Sequence, residues 1–457
     1  MMPGAFSWLI INALLILIFF VMAREFNAQK AAWLLVWCVF SLAVVSHVWL
    51  LPNFFEFKRF FPPSANLGAL QTITNTPVDL YGSMRVWAFF SVMWIIAWRV
   101  SLMNLSQVGI LLTTILLVSL FQAIYGLYGF ISGNKIILGL WIKEYYLRDA
   151  TGTFVNRNHF AGMLAIAWPL VVSGLVAPKA LIFPFLSGGF RVVIAVFYSM
   201  IVMLALVSSH SRMGTAAAIF GLATCLYIIL RNSYLARFQK VSAIWQIVGV
   251  FLFLALFALW FGLGDIVQRY ASLDGGDSRV DVWQAMFGLP FNVWLFGVGP
   301  GAFEDVFQLV KPSYFSVRFI YAHNDYLEFL FEFGLLVALA ILCAVIFWFK
   351  KVYPKGNHLL RAGALGSIVA VAMHSLVDFN LQIPASALLA WVALGLVMNN
   401  QMVDIQEGDR EQKTRQSSSS SKNSHSRNLG AKSKTRKRIK KRLPRTKQEW
   451  LAFLRSD

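Results

Sequence analysis

The apolar residues of this chain arrive in blocks. Uncharged runs such as Ile201 to Leu206, Gly249 to Gly264 and Leu335 to Phe349 sit inside stretches of roughly 20 residues, the length at which a helix crosses ~30 Å of hydrocarbon. They predict about eleven transmembrane helices, near residues 5–22, 31–51, 84–98, 108–131, 159–177, 190–208, 213–231, 243–263, 321–349, 359–377 and 384–399. The expected fold is an all-α polytopic membrane protein. Polar sequence between the blocks predicts long loops at 52–83, 132–158 and 264–320, and very short connections around Ser209 to Arg212 and Asp378 to Pro384.

Composition agrees with lipid as the solvent. With 58% hydrophobic and 13% charged residues, the chain has more apolar side chains than a globular core can hide. Cys38, Cys225 and Cys343 all lie inside apolar runs, which suggests neither a disulfide framework nor a thiolate metal site. Arg24 and Glu25 follow the first apolar stretch without a small-residue cleavage pattern, so that stretch is expected to remain as a helix.

Charge orients the chain. The loops holding Arg24, Arg99, Lys179 and Arg231 are short and contain a single acid, Glu25, and the last helix delivers the basic tail to the same side. The positive-inside rule places that side in the cytoplasm and the three long loops on the opposite, outer face. Two domains follow: a membrane domain over 1–403, with its large outer loop at 264–320, and a polybasic cytoplasmic tail over 404–457. The tail has a serine run at Ser417 to Ser421, a basic run from Lys432 to Lys447, and about half of the +19 net charge, so it is expected to be disordered. Its juxtamembrane position favours anionic lipid over nucleic acid as its partner.

The polar residues that could carry chemistry collect on the long-loop face. Arg212, in Ser208-Ser-His-Ser-Arg-Met-Gly214, sits where two apolar helices meet, and it must either snorkel to the interface or face a polar cavity. An arginine fork is shaped for two-point binding of phosphate oxygens. Arg279 lies in Asp277-Ser-Arg-Val-Asp-Val-Trp283, which reads as an interfacial helix anchored by Trp283 and Trp294, or as an ordinary solvated charge cluster. The glycines of Phe296-Gly-Val-Gly-Pro-Gly301 resemble a phosphate-cradling loop, but Pro300 interrupts them and no strand precedes them, which argues against a nucleotide.

His323 opens His323-Asn-Asp-Tyr-Leu-Glu328, where it is either a base, since an imidazole can accept a proton near neutral pH, or a cap. Asn324, Glu328 and Glu332 share one helical face beyond it. His374 and Asp378 form a second polar pair on the same side. The segment from Asp149 to Gly162 brings Asn156, Arg157, Asn158 and His159 to a helix start, with donors suited to sugar hydroxyls or phosphate; taken singly, each could be a loop or cap residue.

In this order, Thr151-Gly-Thr-Phe-Val-Asn-Arg-Asn-His-Phe-Ala161, Ser211-Arg-Met-Gly214, Arg279 with Trp283, Phe296-Gly-Val-Gly-Pro-Gly301, His323-Asn-Asp-Tyr-Leu-Glu328 and His374-Ser-Leu-Val-Asp378 resemble the O-antigen ligase and polymerase superfamily, over roughly residues 100–400. The resemblance implies a GT-C-like membrane glycosyltransferase. Such an enzyme moves a glycan from a polyprenyl-pyrophosphate carrier to an acceptor hydroxyl on a glycan, lipid A core or protein, with no cofactor, nucleotide sugar or required metal. It implies catalytic roles for His323, Arg212 and Arg279, and substrate contacts for Asn156, Arg157, Asn158, His159, Asn324, Glu328, His374 and Asp378. The alternative from another class is a transporter of small anions with an outward arginine vestibule. Transporters place ionisable groups near the bilayer midplane, whereas the middles of these helices are almost free of charge.

Overall fold

The computed structural model describes residues 28–47, 80–176, 181–231, 278–311, 318–353 and 359–399. The helices expected near 5–22 and 243–263, most of the loop at 52–83, and the basic tail lie outside the described residues. Those described form an all-α membrane protein. Its helices are α1 (Ala28–Val45), α2 (Leu80–Ser101), α3 (Leu105–Ser132), α4 (Arg157–Val176), α5 (Gly188–Ser208), α6 (Arg212–Arg231), α7 (Ser278–Phe287), α8 (Phe291–Phe296), α9 (Phe303–Val310), α10 (Asp325–Val352), α11 (Leu359–His374) and α12 (Pro384–Val397). A two-stranded antiparallel ribbon, β1 (Ile136–Ile137) with β2 (Trp141–Ile142), follows α3, and a 3-10 turn at Asn380–Gln382 precedes α12. Helices α3, α4, α5, α6 and α10 are long and apolar enough to cross a membrane.

Small residues let the central helices touch. A Cβ on Gly221 of α6 would lie 2.7 Å from the Gly366 carbonyl oxygen of α11, and one on Gly363 would lie 2.6 Å from the Pro169 oxygen of α4. In lipid, where burying apolar surface gives no drive for helix association, such close backbone approach supplies the packing. Ser367 adds a hydrogen bond of 2.6 Å to the Ile166 carbonyl. Helices α1, α2 and α10 are joined instead by indoles: Trp33, Trp94 and Trp348 have ring centroids 4.7–5.2 Å apart.

Helix α10 is broken at Gly334, whose φ of +72° is open to glycine and costly for other residues. Unpaired carbonyls cannot be left in an apolar surrounding. The Val298 and Gly299 N–H groups donate to the Phe331 and Glu332 oxygens, each at 2.9 Å, and His47 Nε2 lies 3.1 Å from the Phe333 oxygen. The glycine-rich segment 296–301 therefore serves as a backbone splint: a Cβ on Gly301 would lie 2.7 Å from the Gly82 backbone.

Among the described residues of the long loop expected at 264–320 are the three short helices α7, α8 and α9, the first of them carrying Arg279 and Trp283. Val282, Met286, Val293, Phe303, Phe307 and Phe331 form a small core there. Trp283 donates to the Ala322 carbonyl at 2.8 Å and Trp294 stacks on Phe287, so both indoles serve this core rather than standing alone as anchors.

Candidate active site

The starts of α4, α6 and α10 and the end of α11 meet at one end of the bundle. Ser211 donates to Asn158 Oδ1 at 2.9 Å, joining the start of α6 to that of α4. The Asp325 N–H donates to the Ser375 carbonyl at 3.0 Å, joining α10 to α11. Gly162 and Gly214 make the fit possible: a Cβ on Gly162 would lie 2.9 Å from His374 Nδ1, and one on Gly214 would lie 3.4 Å from its Cε1.

Asp378 stands at the centre and is fully buried. Its Oδ1 accepts the Phe379 N–H at 2.9 Å, with His323 Nδ1 at 3.7 Å and His159 Nε2 at 3.9 Å; Arg279 Nη2 is 3.8 Å from Oδ2. The Phe379 ring backs the cluster. Tyr321 stacks on it at 4.2 Å, and His159 and His323 meet it edge-on at 4.8 and 4.9 Å. His323 itself is held at φ +53°, a left-handed conformation that costs a non-glycine residue about 1–2 kcal/mol.

These distances exceed hydrogen-bonding range. His159 Nε2, His323 Nδ1, His374 Nδ1, Asp378 Oδ2 and both side-chain polar atoms of Asn380 are buried with no hydrogen-bond partner among the described residues. Folded proteins seldom leave such groups unmatched, and their concentration at one spot makes it the candidate site. Burial alone would raise the Asp378 pKa. Contact with His323 and the charges of His374, Arg279 and His159 outweigh it, and hold the carboxyl down at about 2. The group is therefore a fixed anion in ordinary solution.

A second buried aspartate lies nearby in the loop before α4. Asp149 accepts from Arg157 Nη1 at 3.0 Å and faces His210 Nδ1 at 2.7 Å, while Lys143 Nζ donates to its backbone carbonyl at 3.0 Å. Burial raises the Asp149 pKa, but the His210 hydrogen bond and the Arg157 and His210 charges overcome it and lower the value. Arg157 also lies over the Tyr146 ring at 5.2 Å.

The row of polar residues at the start of α10 is engaged in holding loops. Asn324 Oδ1 caps the helix through the Tyr326 and Leu327 N–H groups, and its Nδ2 donates to the Leu376 carbonyl at 2.9 Å. Glu328 takes the Ala322 N–H and Gln382 Nε2, both at 2.6 Å. Glu332 accepts from the Phe303 N–H at 3.2 Å, and Asp325 accepts from Ser375 Oγ at 2.6 Å.

Of the residues singled out in the sequence, the fold thus brings His323, Arg279, His159 and Asp378 together, with His374 beside them. Arg212 opens α6, half-buried, one residue after Ser211 and two before Gly214. Asn156, Arg157, Asn158, Asn324 and Glu328 stand around this group, bonded within the fold: the Asn158 N–H donates to Asn156 Oδ1 at 2.8 Å. Sequence reasoning passed over Asn380, Lys143, Asp149 and His47. Lone polar residues in or beside apolar stretches were the available signal. Among the described residues, no group of three or more His, Cys, Asp or Glu side chains is arranged to hold a metal ion.

A search of curated proteins found no sequence similar to this chain. A family model described as O-antigen ligase matches residues 194–342, a segment that includes Arg212, Arg279 and His323 and stops short of His374 and Asp378. Residues 194–342, about a third of the chain, are thus similar to the O-antigen ligase family, which supports the resemblance to the O-antigen ligase and polymerase superfamily.

Proposed function

We propose that the protein transfers a glycan from a polyprenyl-pyrophosphate carrier to an acceptor hydroxyl, as a ligase or polymerase of the cell envelope, and that the cluster around Asp378 is where it does so. The observation that carries the reading is the convergence of His323 and Arg279, both inside the O-antigen ligase segment, on one buried carboxylate.

The chemistry follows from atom positions. His323 turns Nδ1 toward Asp378, and a proton on that nitrogen leaves Nε2 with a lone pair for the acceptor hydroxyl. As the acceptor oxygen bonds to the anomeric carbon, its proton passes to Nε2, and the bond from that carbon to the pyrophosphate oxygen breaks. The electron pair leaves with the carrier pyrophosphate, whose charge Arg279 and Arg212 stabilise. Asp378 steadies the imidazolium that forms and holds Arg279 in place, so it is a positioning residue. Contacts of 3.7–3.9 Å shorten into hydrogen bonds when substrate closes the site, as resting catalytic pairs commonly do. No carboxylate nucleophile enters this scheme, and a single displacement inverts the anomeric centre.

His159, His374, Asn156, Arg157, Asn158, Asn324 and Glu328 shape the surrounding pocket and contribute to substrate binding, directly or by fixing the loops. The active end faces the periplasm of an inner membrane, with the basic tail on anionic cytoplasmic lipid. The test is transfer by purified protein from a synthetic polyprenyl-pyrophosphate oligosaccharide to lipid A core, a second donor molecule or a pilin-like protein, each offered separately. Wild type yields product of inverted configuration with one of them. Product retaining the donor's configuration overturns the mechanism, and absence of both transfer and donor binding overturns the function.

A further inference from the structure

The segment between α3 and α4 contains a short hairpin whose composition is wrong for water. Its strands and turn read Ile136-Ile-Leu-Gly-Leu-Trp-Ile142, bounded by Lys135 and Lys143. A ribbon on a protein surface normally buries one face and wets the other. Here both faces are bare: Leu140 is 88% exposed, Trp141 65% and Ile142 69%, and Ile136 and Leu138 are also exposed.

The hairpin's height in the bundle is fixed by hydrogen bonds. Tyr125 is seven residues before the end of α3, about 10 Å back along a helix rising 1.5 Å per residue. Its hydroxyl accepts the Leu138 N–H at 2.8 Å and donates to the Ile136 carbonyl at 3.3 Å. The chain leaves α3 at Ser132 and then folds back, so the tip lies beside the last two turns of a helix long enough to cross a membrane. At that level α3 itself shows exposed apolar side chains, Phe121, Ile124 and Tyr128. The hairpin also meets the backbone requirement of an apolar solvent. Ile136 pairs with Ile142 and Ile137 with Trp141, the Leu140 N–H returns to the Ile137 carbonyl, and the Lys143 N–H to that of Lys135.

We propose that residues 136–142 are a re-entrant membrane anchor, seated in the headgroup and acyl boundary of the leaflet around α3, with the bilayer itself as partner. The exposed Lys135 precedes the apolar tip and the exposed Tyr145 follows it, an order that matches the interface, where aromatic rings and lysine stems reach between hydrocarbon and water. The anchor closes one side of a cleft between α3, at Gly126 and Gly129, and the buried pair Lys143 and Asp149. It thereby sets how deep the Asp149 network sits below the membrane surface. The proposal requires only that the chain spans a bilayer, and is independent of the transfer reaction.

Nitroxide labels test it in proteoliposomes, in full-length protein with Cys38 and Cys343 replaced by serine. Single cysteines go at Leu140 and Trp141, with Leu117 on the exposed flank of α3 as the lipid reference and Glu144 as the aqueous one. Monodisperse elution and an unchanged melting temperature confirm folding of each variant. At both hairpin positions the expected result is high accessibility to oxygen and low accessibility to a water-soluble nickel chelate, as at Leu117, at a depth of about 5–10 Å. Chelate accessibility equal to that at Glu144 overturns the proposal by placing the hairpin in water. Low accessibility to both reagents also overturns it, because the hairpin is then covered by protein, such as a second copy of the chain.

Discussion

Two buried aspartates at the same end of this bundle are each met by arginine and histidine, yet they are built differently. Asp149 holds His210 at 2.7 Å and Arg157 at 3.0 Å, both within hydrogen-bonding range. Asp378 has His323, Arg279 and His159 at 3.7–3.9 Å, and its Oδ2 is bonded to nothing among the described residues. Nearly the same chemical parts make a hydrogen-bonded brace in one place and a looser cluster in the other, and it is the looser one that the proposed reaction uses.

The largest effects separate the two at the level of turnover. His323→Ala and Arg279→Ala are expected to lower the transfer rate by about 100-fold or more at an unchanged melting temperature. A loss of folding in step with activity would instead make that cluster a brace like the other one. Asp149→Ala strands Arg157 and His210, and its expected cost is on the order of 3 kcal/mol in stability, read as a clear fall in melting temperature. Gly334→Ala puts a methyl group against the Phe296 backbone at a φ of +72°, and should destabilise by about 1–3 kcal/mol through the helix break rather than through either aspartate.

The smallest effect is on pH. The Asp378 pKa is depressed to about 2 in the fold, so its contribution to stability is present above the ordinary carboxylate pKa and is lost as pH falls toward 2. The stability difference between wild type and Asp378→Asn should stay constant from pH 5 to 8 and change only below about 4. A difference that varied between pH 6 and 8 would mean that Asp378 titrates there.

Much of the fold was legible because a membrane-crossing helix announces itself in a single continuous run. The apolar blocks at 108–131, 159–177, 190–208 and 213–231 fall on α3 to α6 with small shifts at the ends. The break in α10 was not legible, since Gly334 reads as one small residue in an apolar block, and its cause is contact with Phe296 and Gly297 far away in the chain. The sequence offered the candidate residues as a set, but not the way His323, Arg279, His159 and Asp378 come together. Arg279 read either as part of a local charge cluster with Asp277 and Asp281 or as a site residue, and its approach to Asp378, 99 positions on, could not be read from the sequence. Glu328 looked like a group facing substrate, yet it bonds the loop before it and the turn before α12.

The most direct measurement compares Asp378→Asn with Asp149→Asn in one transfer assay, scoring turnover per folded molecule alongside melting temperature. The account predicts that Asp378→Asn melts near wild type but loses turnover by about 100-fold or more, as orienting carboxylates of catalytic histidines do. It predicts that Asp149→Asn melts lower and retains most of its turnover once folded. The opposite pairing, with stability lost at Asp378 and turnover lost at Asp149, would contradict the assignment of the open cluster as the active site.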